Sequence, residues 1–87
     1  MLIYSNEANG KVTGNTQVTF HNAIEGYIIS PEPAGHVVYA RLLTGRQIIL
    51  IVQPSYDQAV AIIEKIEREY AVGAPMVDLR FLQLHPG

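Results

Sequence analysis

The segment HVVYARLLTGRQIILIVQPSYDQAVAIIEKIEREY, His36–Tyr70, decides the fold. Val37–Leu43 and Arg46–Val52 flank Thr44-Gly45, and a glycine there supplies the positive φ of a tight hairpin turn. Pro54 closes the second strand, Ser55 is a good N-cap, and Gln58 stands at the capping-box position. Tyr56, Ala59, Val60, Ile63, Ile66 and Tyr70 then recur at three- and four-residue steps, with Ile62 widening the stripe. Glu64 with Arg68 and Lys65 with Glu69 are spaced as i,i+4 pairs on the opposite side. Gly73 and Pro75 stop the helix, which is expected over about residues 55–71. At about 1.5 Å per residue it is as long as the strand before it. It returns the chain to the strand's starting edge, and Met76–Leu84, which alternates Val77, Leu79 and Phe81 with Asp78, Arg80 and Leu82, is expected to enter parallel to Arg46–Val52.

Upstream, Leu2–Tyr4 is β-prone, and Asn9-Gly10 and Gly14-Asn15 are successive turn signals. Thr16–Phe20 alternates as a half-buried strand, with Thr16, Val18 and Phe20 on one face and Gln17, Thr19 and His21 on the other. Asn22–Glu25 has capping-box spacing and predicts one helical turn stopped by Gly26. Tyr27–Ile29 is a short strand, ended by a stiff loop with Pro31 and Pro33. His85-Pro-Gly reads as a frayed end. The expected fold is a single α+β domain over residues 1–87, in the order β-β-β-β-β-α-β. It has one mixed, mostly antiparallel sheet of five to six strands with the helix packed on one face.

An 87-residue chain has a thin core, and with no cysteine it has no disulfide or thiolate metal site to reinforce it. Charged residues make up 16 % against a usual share of about 25 %. Both features point to a surface covered by a partner. The net charge is −2 and the six basic residues are scattered, which argues against a nucleic-acid footprint and a polybasic membrane anchor. No apolar run approaches the ~20 residues of a membrane span. The N-terminus lacks the pattern of a signal peptide, so a cytoplasmic protein is expected.

The hairpin has two faces. Val38, Ala40 and Leu42 oppose Ile49 and Ile51 on the first. Val37, Tyr39, Arg41 and Leu43 oppose Arg46, Ile48, Leu50 and Val52 on the second. One helix covers one face, so Ile48, Leu50 and Val52 need either the N-terminal strands or a second copy of the chain above them. The expected function is a non-enzymatic interaction or regulatory module that self-associates, as a dimer in the first instance, through Val37, Tyr39, Arg41, Leu43, Arg46, Ile48, Leu50 and Val52. It could also bind another protein at the hairpin tip or an edge strand. The alternative is a ligand-binding or cofactor-free enzymatic domain with a dimer-enclosed pocket whose polar groups are His36, Tyr39 and Arg41. A nucleic-acid-binding regulator is the weaker third reading.

No cofactor is expected. His21, His36 and His85 share no metal-ligand spacing, no nucleophile–base–carboxylate set is identifiable, and the helix glutamates Glu64, Glu67 and Glu69 read as a solvated face. Tyr39, Arg41 and Arg46, gathered near the tip, could bind an anion or stack on a base, or form the aromatic core and polar rim of an interface.

Overall fold

A computed structural model describes residues 1–6 and 16–82. Its elements run β1 (Leu2–Asn6), β2 (Thr16–Phe20), a 3-10 turn at His21–Ala23, β3 (Ile24–Glu32), β4 (Gly35–Leu42), β5 (Gln47–Gln53), α1 (Tyr56–Ala71), β6 (Met76–Asp78) and a second 3-10 turn at Arg80–Leu82. The class is α+β. The six strands form two three-stranded sheets, ordered β2-β1-β6 and β3-β4-β5, where a single sheet was expected.

The helix begins and ends as its sequence dictates. The Ser55 hydroxyl accepts from the Gln58 amide at 3.2 Å and donates to Gln58 Oε1 at 3.0 Å. At the other end the Gly73 amide donates to Tyr70 O and the Ala74 amide to Glu69 O, the paired bonds of a Schellman stop. The buried stripe is Ala59, Ile62 and Ile66, while Tyr56 and Tyr70 at its margins are half exposed. Neither Glu64–Arg68 nor Lys65–Glu69 closes to an ion pair within 4.0 Å; the ion pairs among the described residues lie elsewhere.

Both prolines near residue 32 lie within the β3–β4 hairpin. The strand runs on through Pro31 to Glu32 and turns over Pro33-Ala34 into Gly35. The missing Pro31 amide is tolerated because β3 is an edge strand. The Thr44-Gly45 tip forms as expected, with φ 91 at Gly45. The turn expected at Asn22–Glu25 lies one residue earlier, and Gly26 falls inside β3 beside a register shift.

The last strand does not join β5. It lies parallel to β1, pairing Leu2 with Met76, Ile3 with Val77 and Tyr4 with Asp78. β1 is the buried central strand of its sheet, with Ile3 and Ser5 fully enclosed, so its backbone needs ladder partners on both sides. β2 supplies one and β6 the other. β6 ends at Asp78, and Phe81, expected to face inward with Val77 and Leu79, is 84 % exposed. The turn signals at Asn9-Gly10 and Gly14-Asn15, residues 83–84 of the expected last strand, and His85-Pro-Gly lie outside the described residues.

One core joins both sheets to the helix: Ile3, Val77 and Leu79 pack in the same cluster as Val38, Ala40, Leu50, Ile51, Ala59, Ile62 and Ile66. The sheets are also tied directly: the Gln17 side-chain amide, which donates to Ser5 Oγ in its own sheet at 3.2 Å, donates across to Ile49 O at 3.1 Å. Gln53 donates to Leu82 O at 2.9 Å. Among the described residues no helix is long and apolar enough to cross a membrane.

Candidate functional site

A single irregularity in β5 redistributes the residues expected to share a face. Val37 pairs with Val52 and Val38 with Ile51, but Tyr39 pairs with Ile49, Ala40 with Ile48 and Arg41 with Gln47. Leu50 is therefore an extra residue, a bulge, and each β5 side chain on the tip side of it changes face. Ile48 joins Ala40 on the helix side of the sheet, and Leu50 enters the common core at 1 % exposure. Val52 stays opposite Val37, and both are already buried within the protomer, at 4 % and 3 %. The apolar second face of β5 expected to lack a cover does not exist as one surface.

The bulge also separates the tip constellation. Arg46 lies opposite Leu42, whose amide donates to Arg46 O at 2.8 Å, so it sits on the other side of the hairpin from Tyr39 and Arg41. The Tyr39 hydroxyl donates to Glu32 Oε2 at 2.6 Å, a bond to a carboxylate that raises its pKa. Arg41 lies 3.6 Å from Glu25. Leu43 stands out at the tip, 68 % exposed. His36 is remote from the tip: it faces the start of α1, edge-on to Tyr56, with Nδ1 buried and without a hydrogen-bond partner among the described residues.

A row of exposed apolar side chains lies instead on the sheet β2-β1-β6. The antiparallel register pairs Ile3 with Thr19 and Ser5 with Gln17 on its inner face, and Leu2 with Phe20 and Tyr4 with Val18 on its outer face. The alternation expected for β2 holds, but with the polar side inward. Thr19 is buried, whereas Val18 is 47 % and Phe20 60 % exposed. Met76, beside Leu2 on β6, extends the row at 42 %. Polar groups border it. Arg80 makes a two-pronged contact with Asp78, donates to Thr16 Oγ1 at 3.0 Å and lies 5.3 Å over the Tyr4 ring. Its hydrogen bonds hold the Asp78 carboxyl below the usual range.

Phe20 and Val18 also border a cleft of about 270 Å³ between the two sheets. Residues Gln17–Phe20 of β2 line it on one side and Leu42, Arg46 and Ile48 on the other, with Ala23 from the 3-10 turn.

A cluster of titratable groups lies apart from this cleft's lining. His21 Nε2 is 3.0 Å and the Tyr27 hydroxyl 2.9 Å from the same Glu67 oxygen, and the His21 ring stacks on Tyr70 at 3.9 Å. Burial pushes the Glu67 carboxyl up, but the hydrogen bonds from His21 and Tyr27 outweigh it and hold the group below its ordinary value. Tyr27 is pushed up, first by burial and then by Glu67. The arrangement ties the end of β2, β3 and the last turns of α1 together. Glu67 had read as part of a solvated face; its place between Ile63 and Tyr70, both stripe residues, was the sequence signal that it borders the buried side. Among the described residues no three His, Asp or Glu side chains gather as a metal site.

Comparisons with family models, with curated proteins and with solved structures find no match to this chain.

Proposed function

We propose that the chain is a small non-enzymatic interaction module that self-associates through the outer face of the β2-β1-β6 sheet. The observation that carries this is the inverted burial of β2: Thr19 faces the core while Val18 and Phe20 face out, in register with Leu2 and Met76. Hydrophobic patterning places such side chains inward unless something else covers them. Covering a residue such as Phe20 contributes roughly 1.5–3 kcal/mol, a large increment for a domain this small. An apolar centre with Tyr4, Asp78 and Arg80 at its margin has the anatomy of a protein interface. A two-fold dimer places this patch against its own copy, each Phe20 row on the other. The cytoplasmic setting expected from the sequence is part of the same proposal.

Light scattering coupled to gel filtration, at tens of micromolar, is expected to give twice the protomer mass. Met76→Glu puts a charge into the apolar row without touching the core and is expected to return the mass to one protomer with an unchanged far-UV spectrum. A wild-type chain of protomer mass would overturn the proposal.

A further inference from the structure

Among the described residues β2 has a free edge, and it differs from the other strand edges. The Leu2 amide donates to Pro75 O at 3.0 Å and the Tyr4 carbonyl accepts from Leu79 at 2.8 Å, so both point their polar groups toward β6. The residues opposite them, Phe20 and Val18, are then in non-hydrogen-bonded pairs, and the ladder alternation turns the Val18 N–H and C=O and the Phe20 N–H away from β1. Both residues also belong to the lining of the cleft.

Natural sheets blunt such edges with charges, prolines, bulges or very short strands. β3 has Glu25, Pro31, Glu32 and a register shift, and β6 has only three residues. The free side of β5 receives the Gln17 side chain at Ile49 O. β2, Thr-Gln-Val-Thr-Phe, has no charge, no proline and no bulge.

The far wall of the cleft contributes a cation. Arg46 is exposed and has no carboxylate within 4.0 Å among the described residues, whereas Arg41 and Arg80 each have one.

From the open β2 edge and the Arg46 guanidinium across from it, we infer that this cleft is a peptide-binding site. An extended segment of another protein adds as a strand to β2 and directs a carboxylate to Arg46. Main-chain hydrogen bonds to Val18 and Phe20 supply the attachment, and the charge supplies the selectivity. A small molecule fits less well, since the cleft is open to solvent rather than enclosed and has no ring of converging polar groups. A second copy's β2 fits less well too. It has no carboxylate to direct to Arg46. The site shares Val18 and Phe20 with the outer-face patch but uses their main chain where the dimer uses their side chains, and Met76 lies on the far edge strand of that sheet.

The test is selection from a phage-displayed library of random peptides against the immobilised chain, repeated in the Met76→Glu background so that self-association plays no part. Enriched peptides are expected to carry one Asp or Glu at a fixed position among β-branched residues, and to shift the backbone amide signals of β2. Arg46→Ala is expected to weaken them about two- to five-fold. Val18→Pro, which removes an outward N–H without touching the β1 ladder, is expected to abolish binding. If Val18→Pro does not fold, Arg46→Glu decides, since it should reject every acidic peptide. Failure to enrich any peptide, enrichment without a conserved carboxylate, or equal binding to wild type and the variants would overturn the inference. So would a dimer lost in Val18→Pro but retained in Met76→Glu, which would place a second copy at the β2 edge.

Discussion

Gly35→Ala tests the packing of the β3–β4 hairpin against the end of β5. Gly35 has φ 137, and a Cβ there would stand 2.6 Å from Gln53 O and 3.1 Å from Val52 Cγ1. Two costs add. An L side chain at that φ is strained by about 1–3 kcal/mol. The closest atom is a backbone oxygen in the middle of the fold, so relieving the contact shifts the β5 terminus, at a cost comparable to overpacking a core, about 1–3 kcal/mol more. The sum, about 2–6 kcal/mol, is a large part of what a domain of this size has. Gly73→Ala is the internal control. It too has positive φ (78), but nothing lies within 4 Å of its Cβ position, so only the conformational cost remains, about 1 kcal/mol. Urea unfolding followed by far-UV circular dichroism gives both values, provided the slope m is unchanged. In a domain of this size each kcal/mol is worth roughly 4–8 °C in Tm. Gly73→Ala should therefore lose that much, and Gly35→Ala at least twice as much or fail to fold. Equal losses in the two variants would show that the Gly35–Gln53 approach is not tight.

Glu67→Gln tests the cluster with His21 and Tyr27. The folded pKa of Glu67 lies below its ordinary 4.5, so its contribution is complete above that value and is lost as pH falls through the folded one. Wild type should therefore lose more stability than the glutamine variant between about pH 6 and pH 3, by less than ~1 kcal/mol because Glu67 is half exposed, and parallel pH curves would refute the coupling. Thr19→Val removes a buried hydroxyl that has no hydrogen-bond partner among the described residues while keeping the side chain's shape. It should leave stability unchanged or raise it by about 1 kcal/mol in thermal unfolding, and a loss of that size would mean the hydroxyl is satisfied.

Local chemistry made much of the fold legible. Ser55, Gln58 and Gly73 fixed the ends of α1 because capping bonds span only three to five residues. Gly45 marked the hairpin tip for the same reason. The residues expected to form one binding face were not recoverable that way. A strand's faces follow strict alternation only while the register holds, and the bulge at Leu50 is a packing event between β4 and β5 that no single residue type in Ile48–Val52 announces. The pairing of β6 with β1 rather than β5 was hidden because it joins residues about 75 positions apart, and is settled by what the enclosed β1 backbone requires.

The sequence by itself therefore determined the α+β class, the order of elements and the single helix with its caps, all of which rest on contacts between near neighbours. Tertiary structure alone decided that the strands divide into two sheets, that Leu50 and Val52 are enclosed by their own chain, and that Val18 and Phe20 face outward. Periodicity shows that a strand has two faces; only the elements packed around it decide which of them meets water.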